Sequence, residues 1–177
     1  MKLTLFLLVS ALIMACSNGQ KRDNPVNETE VSISKFVYEF TDSSVPPEYH
    51  RSYVLTVTKK EIHVVVDSYG NVLTDTTIEI SEEDFSGLCR SFEKAKIEEC
   101  DDPNRNDCDG GTMHELEVFD KSGEKYIEGY MYWCATEPEG TLCGDLFGFA
   151  DEIKKMIPDF TALLKEDYFD ENEESAE

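Results

Sequence analysis

Alternating apolar and polar positions dominate the middle of the chain. Phe36, Tyr38 and Phe40 alternate with Lys35 and Glu39. That period predicts a strand with one aromatic face. Tyr53, Leu55 and Val57 repeat the pattern, then Ile62, Val64 and Val66. Val72, Thr74, Thr76, Ile78 and Ile80 form a fourth run. Between the first and second runs, Asp42 to His50 contains Ser43-Ser44 and Pro46-Pro47, a loop composition. Lys59-Lys60 and Tyr69-Gly70-Asn71 predict turns. Gaps this short predict antiparallel neighbours.

The period then changes. Phe85, Leu88, Cys89 and Phe92 recur at helical spacing, so a helix is expected from Ser81 to about Lys96. Ser81-Glu82-Glu83-Asp84 resembles a capping box with Asp in place of Glu, and its acidic first turn suits the helix dipole. Ile97 to Gly111 reads as an acidic loop. Leu116 and Val118 begin a fifth strand, and Lys121-Ser122-Gly123 turns into a sixth, Lys125 to Cys134. In that sixth run Tyr126, Tyr130 and Tyr132 share one face, with Ile127, Met131 and Trp133 on the other. Ala135 to Gly144 reads as another loop. Asp145 is a helix N-cap, Leu146, Phe149, Ile153, Met156 and Ile157 trace the apolar stripe, and Pro158 ends it. Asp159 is placed to cap one more short helix carrying Phe160, Leu163 and Leu164. The order β-β-β-β-α-β-β-α lacks a β-α-β rhythm. It predicts an α+β domain: an antiparallel sheet of about six strands with helices packed on one face.

The two ends read differently. Lys2 precedes an apolar run from Leu3 to Leu12, followed by Ile13-Met14-Ala15-Cys16. A charged start, an apolar stretch and a small residue before the cut make a secretory signal. The run from Leu3 to Ala15 is shorter than the roughly 20 residues that span a bilayer. With Cys16 directly after Ala15, the segment resembles the lipobox of bacterial lipoproteins, although Met14 stands where a smaller residue is usual. The resemblance implies cleavage between Ala15 and Cys16, a diacylglyceryl thioether on the Cys16 sulfur and an acyl group, such as palmitate, on the new amino terminus. Two or more acyl chains anchor stably. Ser17, in place of an inner-membrane-retaining Asp, leans the expected address toward the outer membrane. The organisation that follows is a signal at 1–15, a lipidated Cys16 with a polar tether to Glu30, one domain at 31–165 and an acidic tail at 166–177. The whole is similar to the small lipoproteins of Gram-negative envelopes.

Charge narrows the partners. Loss of the signal removes only Lys2 among the charges, leaving 15 Lys+Arg against 38 Asp+Glu and a formal charge of −23. Such a chain repels phosphate backbones, so nucleic acid is not an expected partner. It also repels anionic lipid surfaces, which leaves membrane attachment to the anchor. Cationic partners are permitted.

Six cysteines are present. With Cys16 given to lipid, Cys89, Cys100, Cys108, Cys134 and Cys143 remain in a disulfide-permissive compartment. Cys89 falls on the apolar helix face and is expected to stay an unpaired, inert thiol. The other four are expected to pair locally, Cys100 with Cys108 and Cys134 with Cys143, one of three possible connectivities. A zinc site is disfavoured because no C-x-x-C occurs.

Candidate chemistry is sparse. Asp102, Asn104 and Asn106 alternate like the start of an EF-hand calcium loop. The match then breaks, with Asp107 at the glycine position and Met113 at that of the bidentate glutamate. The competing reading is a polar loop in which Asp and Asn serve turns. No G-x-S-x-G or H-E-x-x-H occurs. His50, His63 and His114 are the candidate general bases, yet His63 and His114 fall in strand patterns that favour structural roles. The tyrosine row with Trp133 opposite suits either a recognition surface for sugars or peptides, or ordinary sheet packing. The expectation is therefore a lipid-anchored envelope protein whose domain is a binding or structural module for a protein, glycan or peptide ligand, rather than an enzyme. The alternatives are an envelope hydrolase built around a histidine and an acidic inhibitor of a cationic enzyme. A histidine and a carboxylate meeting in a cleft would favour the hydrolase, and an exposed aromatic patch the binder.

Overall fold

The computed structural model describes residues 32–101, 110–134 and 138–165. The chain divides into two units between Glu30 and Val31, and every described residue lies in the second. The main sheet takes β1 (Ile33–Thr41), β2 (Ser52–Thr58), β3 (Glu61–Ser68) and β4 (Asn71–Glu79) from the first half of the domain. Its second half supplies β6 (Thr112–Asp120), β7 (Lys125–Trp133) and β8 (Pro138–Gly140). β5 (Glu98–Glu99) and β9 (Leu142–Cys143) form a separate two-stranded ladder. The seven strands lie in the order β4-β3-β2-β1-β6-β7-β8, and every pairing is antiparallel.

The aromatic face read from β1 sets the core. Phe36 lies opposite Val57 on one side and Val118 on the other, and Tyr38 opposite Leu55 and Leu116. All six are fully buried. On β3, Ile62, Val64 and Val66 continue the same buried layer. α1 (Glu82–Ala95) and α2 (Leu146–Lys155) cover this face. The Phe36 ring sits 5.8, 5.5 and 5.2 Å from Phe85, Phe92 and Phe149. The short α3 (Phe160–Leu163) sets Phe160 edge-on to Tyr53. Burying a phenylalanine in this way contributes about 1.5–3 kcal/mol.

The caps follow the local sequence. Ser81 and Asp84 form the reciprocal capping box, and Asp145 accepts the Gly148 N–H. Asp159 does not cap α3. Its φ of 48° is left-handed, whereas a capping side chain needs the extended backbone that aims it at the first turn. At the β3–β4 hairpin Tyr69 and Gly70 both have positive φ, 50° and 83°, as the tight hairpin turn that matches strand twist requires.

Two expectations change. The main sheet has seven strands instead of six, and the segments read as loops also contribute β5 and β9. These pieces are two or three residues long, too short to alternate. β8 opens on Pro138, a residue that sheets accept at an edge. The disulfide pairing also changes, because Cys100 is bonded to Cys143. The β5–β9 ladder pairs Glu99 with Leu142, and the Cys100 N–H reaches the Thr141 carbonyl at 2.8 Å. Backbone pairing between the two loops thus replaces closure within each. Cys134 is disulfide-bonded as well, and its partner lies outside the described residues. Cys89 is free and partly buried against the core, its thiol pushed up by desolvation and then by Glu93.

Candidate functional site

Helices claim one face of the sheet, and among the described residues no helix packs on the other. Strand alternation decides what that second face displays. On β1 it receives Lys35, Val37 and Glu39, and on β6 Met113, Glu115, Glu117 and Phe119. On β7 it receives Lys125, Glu128, Tyr130 and Tyr132. The register then sets like charges directly opposite each other. Glu39 faces Glu115, Glu117 faces Glu128, and further along the sheet Glu61 faces Glu79. Cross-strand like-charge pairs destabilise a sheet, typically by a few tenths of a kcal/mol up to about 1 kcal/mol.

Glu39 carries the signature of this crowding. Its carboxyl is pushed up by desolvation, then by Glu115, Asp67 and Glu117. Lys125 answers one pair only, its Nζ lying 2.6 Å from carboxylate oxygens of both Glu117 and Glu128. Between them is a depression of about 400 Å³ lined by Val37, Glu39, Glu115, Glu117, Tyr130 and Thr141, among others. Gly129 borders it through its backbone alone, since its own side-chain position, opposite Leu116, faces the core, where a Cβ would lie 2.8 Å from the Leu142 side chain. Replacing Glu115 with Gln should therefore stabilise the domain. We expect a gain of a few tenths of a kcal/mol up to about 1 kcal/mol in urea unfolding at low salt, shrinking as salt screens the pair.

The three histidines do not assemble a catalytic centre. His50 is only 4% exposed and stacks on Tyr69 at 3.9 Å. The Tyr69 N–H points to its Nδ1 at 3.4 Å, and Ser52 Oγ lies 3.4 Å from its Nε2. His63 does meet a carboxylate, with Nε2 2.7 Å from Asp75 Oδ1. That pair stands on the open sheet surface with side chains 41% and 63% exposed, not in a cleft. His114 is on the helix-covered face, opposite Phe40, with the Phe147 ring edge-on at 4.7 Å. Its Nδ1 lies 2.6 Å from the buried Tyr38 hydroxyl, and its Nε2 3.3 Å from Thr112 Oγ1. Desolvation, then the Lys154 charge, lowers its pKa to about 4.

S-x-x-K spacings occur at Ser32-Ile33-Ser34-Lys35, Ser91-Phe92-Glu93-Lys94 and Ser122-Gly123-Glu124-Lys125, the first on the extended run that leads into β1. On extended chain, residues three apart point to opposite faces, and the Lys35 ammonium sits 3.7 Å over the Phe119 ring. That arrangement supplies no nucleophile–base pair.

The tyrosine row divides. Tyr130 and Tyr132 pair with Glu115 and Met113 on the open face, while Tyr126 borders a separate depression with Ile97 and Glu99. Trp133 lies opposite Thr112, on the His114 side, packed edge-on to Phe147 at 5.1 Å. Individual aromatics are exposed, Tyr126 at 48% and Trp133 at 44% on β7, and others outside the strands. Tyr49 is 70% exposed and Tyr69 56%, with Val72 beside the Tyr69-Gly70 turn. The Tyr69 hydroxyl donates to the Val45 carbonyl at 2.6 Å. The candidate calcium residues Asp102, Asn104 and Asn106 lie outside the described residues, as does Cys16. Among the described residues no three His, Cys, Asp or Glu side chains converge as a metal site, and no helix is long and apolar enough to cross a membrane.

Comparison with protein-family models, with curated proteins and with solved structures finds no match.

The acidic pairs were not singled out by the sequence. Glu39, Glu115, Glu117 and Glu128 look like ordinary solvent-facing strand residues in a chain with 38 acidic side chains. Only the register shows that they oppose one another.

Proposed function

We propose that this chain is a lipid-anchored protein of the bacterial cell envelope, leaning to the outer membrane, whose domain is a binding module and not an enzyme. The observation that carries the second half is the separation of the three imidazoles. His50 is stacked beneath Tyr69, His114 is wedged against Tyr38 and Phe147, and His63 meets its carboxylate on an open surface. General acid–base chemistry needs a base within reach of a bound substrate, in a place that excludes water. The surface aromatics Tyr49 and Tyr69, and the sheet face on which no described helix packs, are what recognition uses instead. The first half rests on the lipobox-like segment ending at Cys16. The partner class is a protein, glycan or peptide, with nucleic acid disfavoured by charge.

Metabolic labelling with palmitate tests the anchor. The full chain expressed in a Gram-negative host should carry label in the membrane fraction, and Cys16→Ser should lose all of it. Label that survives Cys16→Ser, or never appears on the wild type, would overturn the anchored reading.

A further inference from the structure

We infer that the open face of the seven-stranded sheet docks a basic polypeptide in extended conformation, with its cationic side chains set among the carboxylates of β1, β6 and β7. The inference rests on the binding-module reading and names its surface and partner.

Three observations support it. The first is an unequal covering of the sheet. Helices α1, α2 and α3 all contribute rings to the Phe36–Tyr53 side, while the opposite face shows Val37, Val54 and Val65 only half covered. These valines alternate with buried core residues on the same strands, so an apolar stripe runs through the polar surface.

The second is charge. Beside the pairs Glu39/Glu115, Glu117/Glu128 and Glu61/Glu79, this face carries Asp67 and Asp75. Against these eight carboxylates stand Lys35 and Lys125. Lys35 is turned onto Phe119, and Lys125 is shared by two glutamates. The repulsion left between directly opposed carboxylates is relieved by a cation placed between them. Complementary potentials of this kind set partner choice and association rate.

The third is spacing. Glu115 and Glu117 are two residues apart on one face of β6, about 7 Å, which is also the repeat of alternate side chains on an extended peptide. Their cross-strand partners continue the rows at the interstrand spacing of about 5 Å. A bound strand with Lys or Arg at alternate positions thus meets carboxylates in register, with the Tyr130 ring beside the row to take a cation on its face. Carboxylates spread along strands in this way suit a chain of charges better than a single small ion.

The test uses the full chain in detergent micelles. The probe is a fluorescent peptide of about 12 alternating Lys and Thr residues, long enough to cross the sheet. Binding is read by anisotropy at about 0.01 M salt, where the Debye length is about 30 Å. The Lys/Thr peptide should bind, and a Glu/Thr peptide should not. The triple variant Glu115→Gln, Glu117→Gln, Glu128→Gln should weaken binding about tenfold or more, equal to about 1.4 kcal/mol. A control removing the same charge from α1, Glu82→Gln, Glu83→Gln, Glu93→Gln, should change it less than about twofold by screened long-range attraction alone. The sheet variant relieves the Glu39/Glu115 repulsion and gives up the two exposed Lys125 ion pairs, each worth about 0–1 kcal/mol, so its thermal midpoint should move little. Equal weakening by both triple variants would mean attraction to bulk acidity and would sink the proposal, as would no binding of the Lys/Thr peptide. Palmitate labelling at Cys16 is independent of these outcomes, so docking can fail while the anchored reading stands.

Discussion

Replacing both Cys100 and Cys143 with serine should lower the stability of the domain by about 2–4 kcal/mol. The bond closes a separation of 43 residues, from the end of α1 through β6 and β7 to the start of α2. Loop-closure entropy for that length is worth about 4 kcal/mol, which native strain or residual structure in the unfolded chain reduces. The location adds to the effect. Gly144 lies directly against the Lys96 and Ala95 carbonyls, and the Asp145 N–H bonds Ala95 O at 2.9 Å. The bridge therefore pins the C-terminal end of α1 to the N-terminal end of α2, the two helices that hold Phe36. Urea unfolding of the double variant should show a lower midpoint with a similar slope. The single variants Cys100→Ser and Cys143→Ser should lose about as much as the double one, since either removes the same bond. A local pairing of Cys100 with Cys108 predicts instead additive losses from the two single changes.

That pairing shows where sequence reasoning stops. Period-two alternation identified β1 to β4, β6 and β7, because each buries one face and exposes the other. Period 3.6 and the capping residues Ser81 and Asp145 placed α1 and α2. Both signals are local, and they carried the arrangement of sheet and helices. The cysteine connectivity is not local. It depends on β5 and β9, four residues in all, which pair across 43 positions and carry no alternation of their own. The open face fails for a related reason. Glu39, Glu115, Glu117 and Glu128 were visible as polar strand positions, but opposition needs the register of β1 on β6 and β6 on β7. A slip of one residue would turn Glu115 to the core and Leu116 to solvent, so burial fixes that register. The histidines were legible one at a time. The strand positions of His63 and His114 already favoured structural roles, and the structure adds what each of the three touches.

His114 leads to the second large effect, a loss of stability in mild acid. The Tyr38 hydroxyl and His114 Nδ1 lie 2.6 Å apart, and the neutral ring with its proton on Nε2, towards Thr112 Oγ1, lets the hydroxyl donate and Nδ1 accept. Tyr38 is itself held neutral, its pKa raised by burial first and then by the neighbouring Tyr53. It can only donate strongly while His114 remains uncharged. A proton on Nδ1 would turn the Tyr38 oxygen into the acceptor and place a desolvated positive charge beside Lys154, in a site walled by Phe40 and Phe147. The native pKa of about 4 lies below the ordinary 6.5, so the unfolded chain binds the proton first. This contribution is complete above about pH 6.5 and disappears as pH falls through about 4. A shift of this size corresponds to about 3 kcal/mol, which solvent screening of the partly exposed ring reduces to about 1–2 kcal/mol. Glu39 acts with the opposite sign, because its raised carboxyl gains a proton more easily in the folded state and relieves repulsion. The comparison is therefore wild type against His114→Gln, which leaves Glu39 in both. At pH 7 the variant should be less stable by about 1–2 kcal/mol, the cost of a weakened buried hydrogen bond. Near pH 4 the two should converge, as the wild type loses what the variant never had. Curves that stay parallel from pH 7 to pH 4 would show that His114 titrates alike in both states and would remove it as the acid-sensitive contact between α2 and the sheet.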